Sequence, residues 1–318
     1  STDNCGVPTT GIDVSSFTCA NIGANTVTLT ATDGSGNTST CTSTVTVADT
    51  TAPVASCQDI TVYLDGSGNA SITAADIDNG SSDNCASVTL SADVTAFTCS
   101  ETGANTVTLT ATDGSGNTST CISTVTVLDT ISPTANCQNL TVYLDGSGNA
   151  TITSGDVDNG SSDNCGIPTT SIDVSSFTCA NIGANTVTLT ATDGSGNTST
   201  CTSTVTVMDT VSPIVSCQDI TVYLDGSGNA SITSGDVDNG STDNCGTPTI
   251  GIDISSFTCA NIGANTVTLT ATDASGNTST CTSTVTVADT TSPIVSCQDI
   301  TVYLDGTGNA RSEERRAG

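Results

Sequence analysis

An all-β chain of tandem sandwich modules, each 80 residues long and stapled by disulfides, is the fold this sequence predicts, and three observations carry it. The 16 cysteines fall into four phases that recur every 80 residues, led by Cys5, Cys19, Cys41 and Cys57, and an array this regular is one structural unit repeated. Apolar and polar residues alternate with a period of two through runs rich in β-branched residues. Clusters of Gly, Asn, Asp and Ser separate those runs, as short strands joined by tight turns require.

Each element follows in order. The linkers DTTAP (49–53), DTISP (129–133), DTVSP (209–213) and DTTSP (289–293) place a proline at each module boundary. Proline there stiffens the connection and blocks strand pairing. ITVYL (60–64) reads as a strand, DGSGN (65–69) as a turn and DNGSSDNC (78–85) as a loop. NTVTLTATD (25–33) sets Val27, Leu29 and Ala31 on one face and Thr26, Thr28 and Thr30 on the other; DGSGN (33–37) turns the chain into a last strand, STVTV (43–47). Helical periodicity is absent throughout.

The boundaries give modules at 50–129, 130–209 and 210–289, a partial module at 1–49 lacking its first strands, and first strands of a further module at 290–310. The chain is thus expected to be a window cut out of phase from a longer array. Alternatively, copies join head to tail, with 290–310 completing the 1–49 fragment of a neighbour by strand addition. Residues 311–318 (RSEERRAG) break the pattern and hold every basic residue of the chain, so they read as a non-native tail.

Composition excludes several function classes. Residues 1–310 contain no Lys, Arg or His and 30 acidic residues, of which Glu101 is the one glutamate. Such a polyanion does not bind nucleic acid, is repelled by anionic membranes, and takes cations as partners. No stretch approaches the roughly 18 apolar residues of a membrane span. Without His, Lys or a spare thiol, the usual base, Schiff-base and thiolate chemistries have no residues, so an enzyme is not expected. Asp pairs suited to glycoside cleavage recur at turns, where a structural role accounts for them. The absence of Lys also rules out Lys–Asn cross-links. Small modules with no Trp, four Phe and four Tyr bury little core, and disulfides formed in an oxidising, extracellular compartment compensate. No C-x-x-C spacing and no His argue against zinc.

A family resemblance attaches to Asp49–Val62, Asp83–Cys85, Phe97–Cys99 and Gly103–Val127. The D-T-x-x-P joint, the D-N-C element, F-T-C and the A-T-D-x-S-G-N turn together resemble the HYR (hyalin repeat) module over essentially all of 1–310. The second copy departs from the others, with ASVTLSADVTAFTCSET. The resemblance implies immunoglobulin-like sandwiches in extracellular adhesion, similar to stalks of large bacterial surface adhesins. Four cysteines per module allow three connectivities. The resemblance favours Cys57–Cys121, Cys137–Cys201 and Cys217–Cys281, together with the local pairs Cys5–Cys19, Cys85–Cys99, Cys165–Cys179 and Cys245–Cys259. Cys41 and Cys297 then lack partners in the chain, and a Cys41–Cys57 bridge across the linker is the competing arrangement.

Calcium is the candidate cofactor, with no organic cofactor expected. Tandem bacterial immunoglobulin-like stalks resemble this chain in setting the turn Asp near the linker Asp, which pairs Asp33 with Asp49, Asp113 with Asp129, Asp193 with Asp209, and Asp273 with Asp289. Ca²⁺ takes six to eight oxygen ligands of this type. Asp76, Asp78, Asn79 and Asp83 form a second candidate group; the plainer role of all these residues is to shape turns and keep the surface soluble. Thr50, Thr130, Thr210 and Thr290 fit D-[ST]-[AILVMT], which resembles the O-glycosylation site of bacteria using the type IX export route. N-x-[ST] at Asn37, Asn69 and Asn79 is a weaker signal in so Thr-rich a chain. The functional expectation is an extracellular stalk or filament, an elongated array whose partners are itself, further repeats or glycans. The alternative is a multivalent carbohydrate- or protein-binding array acting through avidity.

Overall fold

The computed structural model describes residues 1–85 and 87–310; the 311–318 tail lies outside the described residues. By backbone proximity the chain divides into two compact units. One comprises Ser1–Leu140, Ile152–Ser175 and Ala184–Val205; the other comprises Thr141–Thr151, Ser176–Gly183 and the chain from Thr206 onward. The 50–129 repeat lies wholly in the first and the 210–289 repeat wholly in the second.

The 50–129 repeat is an immunoglobulin-like sandwich of two unequal sheets. The larger has the order Ile60–Tyr63, Thr118–Leu128, Gly103–Thr112, Thr89–Ala92, and the smaller pairs Asn69–Ser71 with Ala96–Thr98. Gly103–Thr112 and Thr118–Leu128 form one long antiparallel hairpin in register from Gly103↔Val127 to Thr112↔Thr118. Ile60–Tyr63 joins its edge in parallel, Ile60 opposite Val125. The same strand orders recur in the 130–209 and 210–289 repeats.

Alternation decides what fills the space between the sheets. Val107, Leu109, Val125 and Val127 project inward from the hairpin and meet Phe97 of the small sheet with Leu64, Ile72 and Ile77. Phe97 is 1% exposed and is the one aromatic of this core. In the 210–289 repeat Val267, Leu269, Val285, Val287, Phe257, Leu224, Ile232 and Val237 repeat that arrangement. The threonines between these residues face outward, as the sequence pattern requires.

Short helical turns were not expected and are present. Ser154–Val157 and Ser234–Val237 each form one turn, started by a capping box in which Asp156 or Asp236 accepts from Thr153 or Thr233. Residues 1–49 give a single three-stranded sheet, Thr9–Ile12, Gly23–Thr32 and Thr38–Val47. Residues 290–310, expected to supply first strands, form no strand. A short edge strand of this kind is held by a ladder to a last strand, as Ile220–Tyr223 is held by Ile220↔Val285, and none is offered to 300–303.

Candidate functional site at the joints between repeats

Six disulfides form two series. Cys57–Cys121, Cys137–Cys201 and Cys217–Cys281 clasp the start of each repeat to its own last strand, as expected. The second series overturns the local pairing. Cys19 bonds Cys85, Cys99 bonds Cys165 and Cys179 bonds Cys245, each joining one repeat to the next. Cys5, Cys41, Cys259 and Cys297 are free and exposed. Cys5–Cys19, Cys85–Cys99, Cys165–Cys179 and Cys245–Cys259 therefore do not form, and neither does Cys41–Cys57.

The reason is the length of the hairpin. Asp83 lies beside Asp113, just past the end of Gly103–Thr112, whereas Cys99 precedes that strand. Ten residues at about 3.3 Å per residue put Cys85 and Cys99 on the order of 30 Å apart, far beyond the roughly 7 Å that a disulfide tolerates between Cα atoms. The inter-repeat bridges close loops of 66 residues, and each stabilises by about 4 kcal/mol in the chain-entropy account.

Acidic residues gather at the same joints, but in different sets from those the sequence suggested. Carboxylate oxygens of Asp49, Asp83 and Asp113 lie within 4.8 Å of one another, and those of Asp209, Asp243 and Asp273 do likewise. At the middle joint Asp129 and Asp163 meet beside Cys165 Sγ. Asn197 Nδ2 ties Asp193 to this group, donating to the Asp129 carbonyl at 3.1 Å and to Asp193 Oδ2 at 2.8 Å. Asp113 and Asp273 thus meet the linker Asp that precedes their own repeat, and Asp193 is tied to Asp129 through Asn197. The expected pairs of Asp33 with Asp49, Asp113 with Asp129, Asp193 with Asp209 and Asp273 with Asp289 are separated by the full length of a last strand. Among the described residues, Asp33 and Asp289 belong to no such group. Of the second candidate group, Asp76 accepts from Thr73, Asp78 from Gly80 and Ser81, Asn79 donates its backbone N–H to Ser56, and Asp83 lies with Asp49 and Asp113.

The D-N-C element explains how the joint is built, since each of its residues serves it. Asp163 Oδ2 accepts from Cys165 N at 2.9 Å, Asn164 Nδ2 donates to the Asp65 carbonyl and to Asp129 Oδ1, and Cys165 carries the disulfide. Asp243, Asn244 and Cys245 repeat this with the Asp145 carbonyl, Asp209 and Cys179. Sequence reasoning missed both Asn164 and Asn244. Asp129 is 6% exposed and Asp209 5%, and no Lys, Arg or His exists in residues 1–310 to offset them. At an effective dielectric near 20, two like charges this close repel by about 3.5 kcal/mol or more, which applies to Asp129 and Asp163.

Turn carboxylates are held ionised. The Asn117 amide bonded to Asp113 keeps its carboxyl below the ordinary value of 3.8. For Asp193 burial pushes upward, but bonds from Asn197, Ser195 and Gly196 outweigh it and the net shift is downward. Asp93, Asp173 and Asp253 are lowered chiefly by the backbone N–H groups of Thr108, Thr188 and Thr268. A depressed folded pKa contributes stability that is complete above the unfolded value and is lost as pH falls through the folded one. Stability in urea is therefore expected to be level from pH 7 to about 5 and to fall only below about 4. Circular dichroism across this range checks it; a protein that gains stability below pH 4 contradicts the assignment.

Thr50, Thr130, Thr210 and Thr290 are exposed, each one residue beyond its linker Asp. The Asn37 side chain is bonded to Asp33, and that of Asn69 to the Ser67 carbonyl. Tyr63, Tyr143 and Tyr223 are about 60% exposed on the edge strands.

No protein-family model matches the chain, and no curated protein matches its sequence. Among solved structures, the extracellular domain of protocadherin gammaB4 is similar at 18% identity and a TM-score of 0.30, over 83% of this chain. The chain spans 54% of that protein's length. Three titin immunoglobulin domains are similar at 12% identity and a TM-score of 0.34, over 75% of this chain and 99% of theirs. Immunoglobulin domains 1–5 of Sidekick-1 are similar at 11% identity and a TM-score of 0.33, over 86% and 68%.

Proposed function

We propose that the chain is an extracellular, non-enzymatic adhesion scaffold of HYR-like repeats, serving as a bacterial surface stalk or filament that transmits tension. One observation carries this reading: the two disulfide series interlock. The first covalent path runs through Cys19–Cys85, residues 85–99, Cys99–Cys165, residues 165–179 and Cys179–Cys245. The second runs through Cys57–Cys121, residues 121–137, Cys137–Cys201, residues 201–217 and Cys217–Cys281. Two such rails with staggered crossings resist extension even where a module unfolds, which suits a tether and serves no evident catalytic end. Disulfides in this number also support an oxidising, extracellular location.

Further repeats or other copies of the same chain are the partners this reading favours. Exposed linker Thr side chains would accept O-glycans without steric cost. Peptide mapping without reduction, together with electron microscopy and intact mass, tests the proposal. Cys99 peptides linked to Cys165 peptides, filaments with a repeating module, and a mass excess at Thr130 are the expected results. Cys85 linked to Cys99 in globular, unmodified monomers would sink it. The exposed Tyr63, Tyr143 and Tyr223 favour a second reading, in which each repeat offers one weak stacking platform to a polysaccharide. Retention on a glycan array, lost on replacing these tyrosines by Ala, distinguishes it.

A further inference from the structure

We infer that the two inner joints are Ca²⁺ sites, built from the linker Asp and the D-N-C element. Three oxygens at each are buried and receive no hydrogen bond: Asp129 Oδ2, Asp163 Oδ1 and Asn164 Oδ1 at one, Asp209 Oδ2, Asp243 Oδ1 and Asn244 Oδ1 at the other. The two sets are the same atoms one repeat apart. A buried polar atom without a partner is rare in a folded protein, and the same three atoms orphaned at the same positions of two repeats are a built feature.

The other carboxylate oxygen of each Asp is engaged. Asp129 Oδ1 accepts from Ile131 N and Asn164 Nδ2, and Asp163 Oδ2 accepts from Cys165 N. The protein has thus oriented each group and left one oxygen of each unused. Asp129 is more than nine-tenths buried, yet no cationic side chain exists in residues 1–310 to pair with it. Buried charge is retained where it is paired or coordinates a metal, and here only the metal remains.

Donor type selects the ion. All free atoms are carboxylate or amide oxygens, and the neighbouring Cys165 sulfur is spent in a disulfide, so soft metals find no ligand. Mixed carboxylate and amide oxygens in an irregular loop suit Ca²⁺, whereas Mg²⁺ demands near-octahedral geometry and keeps its waters. The first joint lacks part of this set. Asn84 is exposed, and among the described residues Asp83 Oδ1 is the one buried orphaned oxygen there.

The test is calorimetric titration of Ca²⁺ into the full, oxidised chain after chelation, in about 150 mM salt so that diffuse attraction to the polyanion is screened. Two tight equivalents per chain are expected, with a rise in melting temperature over the chelated protein. Asp163→Asn should leave one equivalent, as should Asp243→Asn, while Asp76→Asn, at a turn away from the joints, should keep both. Binding that disappears in salt, or that persists with two equivalents in Asp163→Asn, would mean a counter-ion atmosphere and overturn the assignment. Equal heats and stoichiometry with Mg²⁺ would overturn the choice of Ca²⁺. Wild-type stoichiometry decides the matter even if a variant fails to fold. The proposed scaffold role would survive a negative result, because it rests on the disulfide map.

Discussion

Pulled from its two ends in oxidising buffer, the chain is expected to lengthen by only tens of ångströms per repeat. Residues 85–99 and 165–179 are the only extensible segments of the first rail between Cys19 and Cys245, each spanning 14 positions. At about 3.5 Å per residue, one such segment reaches roughly 50 Å when fully drawn out. A repeat of 80 residues released by reduction reaches about 280 Å. Single-molecule force spectroscopy before and after reductant should therefore show contour steps on the order of tenfold longer in the reduced chain, since 85–99 already spans about 30 Å when folded. Had the local pairing Cys85–Cys99 formed instead, the series led by Cys57–Cys121 would carry the tension alone, with the segment from Cys121 to Cys137 as the extensible part of the repeat. Steps near 280 Å without reductant would refute both disulfide series.

Replacing Gly68 by Ala is expected to open the joint between the 50–129 and 130–209 repeats. Gly68 has φ +74°, and a Cβ there would stand 2.6 Å from Cys99 Sγ and 2.8 Å from the Asn164 carbonyl oxygen. Neither neighbour yields cheaply, since one belongs to the inter-repeat disulfide and the other to the D-N-C loop backbone. The positive φ adds about 1 kcal/mol of strain for any residue with a Cβ. The expected outcome is loss of Cys99–Cys165, worth about 4 kcal/mol, with the intra-repeat Cys57–Cys121 intact. Thiol titration should rise from the four free cysteines of the wild type to six. Gly114→Ala is the control, because nothing lies within 4 Å and its φ is ordinary. The chain already carries that change, with Ala274 at the corresponding turn. Four thiols and an unchanged melting temperature in Gly68→Ala would refute the close approach.

Much of the fold was legible in the sequence because it depends on neighbours two residues apart. The alternation of Val107, Leu109 and Ala111 with threonines gave the buried face, and all three are 0% exposed. The joints were legible only as ingredients. Nearness in the sequence suggested partners that an extended strand holds apart, Gly103–Thr112 in the case of Cys85 with Cys99 and Thr118–Leu128 in the case of Asp113 with Asp129. The ATD turn and F-T-C lie at opposite ends of Gly103–Thr112, and that was the signal that could have redirected both the disulfide and the acidic pairs. Asn164 and Asn244 carried no such signal, for an Asn in a Gly-rich loop ordinarily does no more than shape a turn.

The sequence by itself determined the strand pattern, the 80-residue period and the uncompensated charge, and the family resemblance added Cys57–Cys121 and its equivalents. The tertiary structure alone decided which cysteines and carboxylates meet across a joint, and how much of a strand is buried. GANTVTLTAT occurs unchanged at Gly23–Thr32 and Gly103–Thr112. Leu109 is fully buried, whereas Leu29 is only partly so, because no second sheet faces the first copy among the described residues. Alternation says which side chains can turn inward; only an opposing layer removes them from water.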